Sequence, residues 1–311
     1  MFGRIRDLKR RLCNPYFIID HLLRDHLLLM APYVKGRAAD FGCGDFRLSW
    51  PFRDRVEDLV GVDNWLASNY HRHVPQGAKF YYGSIDQAPF KSGAFDCVMC
   101  TEVLEHVEAP SKVIGECSRV LIDGGHLLLS IPFNFLIHGA PNDYRRLTIY
   151  GLKQLLDEGE FDLKAYIPMG SAFFCILNTI VTHWGFKTYG RVGRKFNNLR
   201  VFLFNALSLL VYRWQKKPDV LTDTDRVFND RTNPLGYILI AEKRASGSVQ
   251  ADRPKEPLAC PNCHSELNFK EAGIVCSGCD ESFKFYENIP VLADREKLHL
   301  SYEETGKHVD F

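Results

Sequence analysis

The sequence predicts an α/β fold: a doubly wound, mostly parallel seven-stranded sheet, with a helical insert and a small Cys-rich module near its C-terminal end. Three observations predict it. Short β-rich runs alternate with helix-patterned segments up to residue 167. The first run ends in a glycine turn with acids on both sides, "RAADFGCGDFRLS" at 37–49. Four of the ten cysteines fall within twenty residues near the C-terminus.

Composition sets the limits. A chain of 311 residues with 46% hydrophobic and 25% charged residues can build a large core and something extra. The net charge of +1 gives no global field that would draw nucleic acid, which is not expected as a partner. The start, "MFGRIRDLKRRLCN", is basic but lacks the apolar stretch of a secretory signal. No run reaches the ~18 to 20 apolar residues of a membrane-spanning helix. The cytoplasm, with contact at a membrane surface as a variant, is therefore the expected setting, and its reducing chemistry disfavours disulfides.

Taken in order, residues 16–34 carry apolar positions at helical spacing, closed by Pro32 and Gly36. Strands are expected at 37–41, 58–62, 79–82, 95–100, 125–130 and 162–167, with helices at 111–121 and 148–158. A seventh strand, "PLGYILIAEK" at 234–243, follows an insert of about 65 residues. The expected division is a main domain over 1–243 containing a helical insert at 171–233, a linker at 244–258, a Cys-rich module at 259–294 and a polar tail at 295–311.

In a doubly wound sheet, ligands sit beyond the carboxyl ends of the strands, beside the first βα turn. Asp63 in "VGVDNW" stands about 20 residues past the glycines, where an acid can hold ribose hydroxyls. Strand, glycine turn and acid leave NAD and S-adenosylmethionine both open. The stretches "ADFGCGDFRL", "VGVDNW", "GSIDQAPF", "AFDCVMCTEVLEHVEAP" and "LIDGGHLLLSIPF" follow in the order and spacing of a class I S-adenosylmethionine-dependent methyltransferase. They resemble the broad small-molecule group called type 11, over residues 25–167 and the last strand.

The resemblance implies a Rossmann-like methyltransferase fold and a set of cofactor-binding positions. Asp40, Gly42, Cys43 and Gly44 would lie along the methionine part, and Asp63 with Asn64 at the ribose. Ser84 and Ile85 hold the adenine-contacting motif, and Thr101 and Glu102 line the cofactor side of the fourth strand's end. Two positions depart from the pattern. Phe46 stands where many relatives carry a third glycine, and Ser84 replaces the usual aspartate.

Methyl transfer from a sulfonium is largely in-line positioning, and a hydroxyl acceptor also benefits from a base. His106, and His138 with Asp143, are the expected catalytic candidates, set against packing or capping roles. Tyr144, Arg145 and Arg146 are read either as a clamp for an anionic substrate or as a solvated basic turn.

Cys260, Cys263, Cys276 and Cys279 form two C-x2-C knuckles twelve residues apart. Four thiolates suit tetrahedral Zn²⁺ and leave no open position for catalysis, so the site is expected to be structural. With "FKFYENIPVL" after it, the module resembles the zinc-ribbon family whose free-standing members activate methyltransferases. Its loss is expected to leave cofactor binding largely intact.

The insert carries "AFFCILNTIV" and "VFLFNALSLLVY", flanked by Lys187, Arg191, Arg194, Lys195, Arg200, Arg213, Lys216 and Lys217. An interfacial lid over 171–217 is set against a helical cap on the sheet or a dimer contact. The segment "HGAPNDYRRLTIYGLKQLLDEGEFDL" resembles one common near surface-polysaccharide and lipid-linked sugar pathways. The expected reaction is O-methylation of a sugar, a lipid-linked glycan or another amphiphilic metabolite. The alternatives are a quinone-type C-methyltransferase, an RNA or protein methyltransferase guided by the ribbon, and a non-catalytic cofactor-binding adaptor.

Overall fold

The computed structural model describes residues 12–64, 70–185, 191–214, 220, 233–246, 253–270, 273–286 and 288–293. The expected tail at 295–311, part of the linker, and Lys187, Lys216 and Lys217 lie outside these residues.

Eleven strands form one sheet in the order β6-β7-β5-β4-β1-β2-β3-β11-β10-β9-β8. The first seven are β1 (Gly36–Phe41), β2 (Val56–Asp63), β3 (Ala78–Gly83), β4 (Phe95–Thr101), β5 (Leu121–Pro132), β6 (Phe161–Met169) and β7 (Gly236–Lys243). β1 pairs in parallel with β2 and β4, β2 with β3, and β4 with β5. The last four, β8 (Leu267–Lys270), β9 (Gly273–Cys276), β10 (Ser282–Tyr286) and β11 (Ile289–Leu292), belong to the Cys-rich module. Among the described residues, five α-helices accompany them: α1 (Phe17–Leu29), α2 (Pro110–Val120), α3 (Ile149–Glu158), α4 (Ala172–Gly185) and α5 (Arg191–Trp214).

Two elements differ from expectation, each for a local reason. The first helix stops at Leu29, because Pro32 admits only a 3-10 turn over Ala31–Tyr33. The fifth strand begins at Leu121, not Gly125: α2 ends at Val120, and Leu121 pairs with Phe95 before an irregularity brings Cys97 opposite His126. Gly124, at φ +74°, makes that irregularity possible.

The chain divides into two compact units. One comprises residues 1–29, 132–138 and 165–238. In it α5 lies against α1 and α4, and Asn205 donates from Nδ2 to the carbonyls of Leu12 (2.8 Å) and Asn14 (2.9 Å). The other comprises residues 30–131, 139–164 and 239–311 and holds the centre of the sheet. Its core includes a fully buried aromatic run, Phe41 to Phe90 to Phe95, with ring centroids 6.1 and 5.0 Å apart.

The Cys-rich module does not stand apart from that second unit. β11 adds to the free edge of β3 in parallel, Val291 opposite Tyr82 and Leu292 opposite Gly83. The chain entering the module runs beside the turn that follows β3. There Lys91 N donates to Pro257 O (2.7 Å), Ala259 N to Pro89 O (3.0 Å), and Phe90 bridges to Leu258. The Arg37 guanidinium donates to the carbonyls of Pro254 (2.7 Å) and Lys255 (3.1 Å), which lays the end of the expected linker along the same unit. An open sheet edge invites unwanted pairing, and here the chain covers its own.

Candidate cofactor and metal sites

The carboxyl ends of β1, β2 and β4 converge on the glycine turn. Gly42 (φ +69°) and Gly44 (φ +50°) adopt left-handed backbone, and a Cβ on Gly42 would lie 2.6 Å from a Val103 methyl. Both conformation and space therefore demand glycine at 42. The turn is pinned to the end of β2: Gly42 N and Cys43 N donate to Val62 O at 2.9 and 3.3 Å, and Gly44 N donates to Asp63 Oδ2 at 3.1 Å. The acid singled out for its spacing thus stands beside the loop it was matched with.

Phe46 occupies the third-glycine position at φ +62°, fully buried, an uncommon conformation for a bulky residue. It is accommodated by Gly61 in β2, where any Cβ would overlap the Phe46 ring and the Cys43 sulfur. The ring turns away from the strand ends to meet Phe80 edge-on at 6.4 Å. The departure is compensated within the sheet, and Gly61 is the residue that sequence reading missed.

Asp40 is buried, and burial pushes its carboxyl up to about 7, with Asp63 and Asp45 adding repulsion. Its Oδ1 makes no hydrogen bond among the described residues. A buried carboxylate oxygen aimed nowhere else fits the cationic amino-acid end of S-adenosylmethionine. At the end of β3, Ser84 donates from Oγ to Asp86 Oδ1 at 2.5 Å. The carboxylate missing at 84 is thus present two residues on, a signal visible in "GSIDQ" and overlooked. Thr101 is buried at the end of β4, and Glu102, at φ +55°, donates from its amide to Ser130 Oγ (3.1 Å) while its carboxylate accepts from that hydroxyl (2.8 Å).

The catalytic candidates have different partners. His106 Nδ1 lies 2.7 Å from Asn142 O, and a carbonyl only accepts, so Nδ1 carries the proton. Its Nε2 then faces Glu105 Oε1 at 3.5 Å. Glu105 is fully buried, and burial raises its carboxyl to about 7 against the pull of His106. Asp143, expected beside His138, gives both carboxylate oxygens to Arg146, at 2.5 and 2.8 Å. Asp143 is buried in that ion pair. His138 falls in the other compact unit, with its ring edge-on to Phe135 at 5.1 Å.

The basic turn is bonded to the neighbouring loop. Arg145 donates to the carbonyls of Val107 (2.5 Å) and Glu108 (2.8 Å), Arg146 holds Asp143, and Tyr144 N donates to Glu105 O (2.8 Å). These residues fasten the loop that carries His106.

In the Cys-rich module the four sulfurs lie within 4.8 Å of one another. Cys260 and Cys279 are 3.7 Å apart, and Cys263 and Cys276 3.4 Å. Tetrahedral thiolates at Zn–S ~2.3 Å would stand about 3.8 Å apart, so the set fits Zn²⁺. All four cysteines are free of disulfides. Ser265 holds the Cys263 thiol down to about 6, favouring the thiolate. A small apolar core of Ile274, Phe283 and Leu292 backs the cluster.

Known proteins resemble part of the chain. Residues 39–129 match the family described as the methyltransferase domain. This segment is thus similar to a methyltransferase domain. Curated proteins resemble it as well: a ubiquinone biosynthesis O-methyltransferase of Psychrobacter arcticus is 28% identical over 174 residues, 52% of this chain and 63% of that one. Another, from Pseudomonas aeruginosa, is 32% identical over 139 residues, 42% of this chain and 58% of the relative. The chain thus spans less than two thirds of the length of these relatives. Among solved structures, an S-adenosylmethionine-dependent methyltransferase from Mesorhizobium loti aligns at TM-score 0.45 and 15% identity, covering 74% of this chain and 98% of that one. One from Archaeoglobus fulgidus aligns at TM-score 0.46 and 15% identity, covering 72% and 94%.

Proposed function

We propose that the protein is an S-adenosylmethionine-dependent methyltransferase acting on a hydroxyl of an amphiphilic small molecule. The observation that carries the reading is the strand-end cradle: a glycine turn braced by Asp63, above the buried Asp40. When bound, the cofactor supplies a sulfonium methyl carbon open to in-line attack. Asp40 would take its ammonium, Asp63 the ribose hydroxyls, and the Ser84–Asp86 pair the adenine edge. His106 is the favoured proton acceptor. Its Nδ1–H is held by Asn142 O, its lone pair sits on Nε2, and the Glu105 carboxylate steadies the charge it gains. The curated relatives, ubiquinone biosynthesis O-methyltransferases, favour a quinone-type acceptor as a second reading beside the sugar or lipid-linked glycan.

The test incubates the protein with methyl-labelled cofactor and either extracted lipids or bulk RNA. Label in an ether of the lipid fraction, lost in His106→Ala with cofactor affinity unchanged, supports the proposal. Label in RNA, or none despite cofactor binding, contradicts it.

A further inference from the structure

Helix α5 is inside out. At about 100° per residue, Leu199, Leu203, Leu207, Leu210 and Trp214 fall within an arc of about 80°, centred about 170° from Val201, Asn205, Ser208 and Tyr212. The second set faces inward: Val201, Asn205 and Ser208 are buried, and Tyr212 donates to Asp25 of α1 at 3.3 Å. The first faces out, with the four leucines 47–58% exposed and Trp214 91% exposed. A helix packed on a protein core ordinarily shows the opposite pattern. The stripe runs about 22 Å along the axis, and α4 adds exposed Phe173 and Ile176.

Charge says what covers it. Residues 171–217 contain eight Lys or Arg and no Asp or Glu, in a chain whose net charge is only +1. Within α5, exposed Arg200 and Arg213 flank the leucine stripe on its two sides. A second copy packed face to face on this stripe would bring like charges together, which disfavours a dimer. A surface with an apolar interior and anionic headgroups matches both properties. No described helix is long and apolar enough to cross a membrane, so the contact is parallel to the surface.

We propose that the outer face of α5, extended by α4, docks on an anionic lipid bilayer. The leucines and Trp214 enter the headgroup–acyl boundary, and the flanking arginines meet phosphates. This stands apart from the methyl-transfer reading, since vesicle binding needs neither cofactor nor turnover.

The test is flotation of the full chain with phosphatidylglycerol/phosphatidylcholine vesicles and with phosphatidylcholine alone, at low and high salt. Binding should be roughly tenfold stronger to the anionic vesicles, weaken with salt, and fall roughly tenfold in Leu203→Gln/Leu207→Gln. Both positions are exposed, so the variant's melting temperature and cofactor affinity should match wild type. Wild type that stays unbound at low salt overturns the proposal, as does equal binding by the variant. Analytical ultracentrifugation completes the test: a wild-type dimer that the variant converts to monomer would assign the face to a second copy instead.

Discussion

The β3 edge and the outer face of α5 began with the same problem and met it differently. Each is a surface open to unwanted contact, one through unpaired backbone groups and the other through leucines. At β3 the chain supplies its own cover: β11 pairs with residues 82–83, and the entering segment bonds to residues 89–91. At α5 nothing in the described chain buries Leu203 or Trp214. Where the chain closes a surface itself, the closure bears on the proposed cofactor site. Where it leaves one open, the surface is fitted to something outside the chain.

The largest expected effect tests the closed edge. The proposed adenine contact, Ser84 to Gln87, lies between the two stretches held by the Cys-rich module and its approach. Removing zinc with a chelator, or Cys276→Ser, should therefore unfold the ribbon. It should also raise hydrogen exchange over residues 82–91 and weaken cofactor binding about tenfold, or 1.4 kcal/mol. This revises the expectation of an independent knob. Unchanged cofactor affinity with the ribbon unfolded would restore it.

The next effect concerns the packing beneath the turn. Gly61→Val should destabilise the fold by roughly 1–3 kcal/mol, because the Phe46 ring and Cys43 sulfur fill the space. Combined with Phe46→Ala, much of that loss should be recovered in denaturant melts. Additive losses would mean that the two residues are not coupled.

Asp40 supplies a pH dependence of about the same size. Its folded value near 7 exceeds the unfolded carboxyl's, so the cofactor-free protein is stabilised below about pH 4 and loses that contribution as pH rises through about 7. Glu105 acts in the same direction. A cationic ligand needs Asp40 ionised, so cofactor affinity should climb up to about tenfold from about pH 6 to 8. Asp40→Asn should flatten that slope, and a wild-type profile already flat would remove Asp40 from the ammonium. The smallest effect sharpens the other side of the comparison. Leu203→Gln/Leu207→Gln should shift stability by no more than ~0.5 kcal/mol, whatever it does to vesicle binding. A much larger loss would show that the stripe is a core face after all.

Much of the fold and the glycine turn was legible because local patterns set them. Alternating apolar runs placed all seven strands of the main sheet near their observed positions, and the spacing from Gly42 to Asp63 reflects two adjacent parallel strands. Long-range compensation was not legible. Nothing in "LVGVD" announces that Gly61 makes room for Phe46. The apolar runs of the insert were visible as such. Which face of α5 turns inward depends on Asn205 finding the carbonyls of Leu12 and Asn14, almost two hundred residues away.

The most direct test of the account is a calorimetric titration of S-adenosylmethionine into wild-type protein and Asp63→Ala. The account predicts one site per chain in wild type and binding at least about tenfold weaker in the variant, a loss of about 1.4 kcal/mol from charge-assisted hydrogen bonds. Equal affinity in the two proteins, or no binding to wild type, would contradict it.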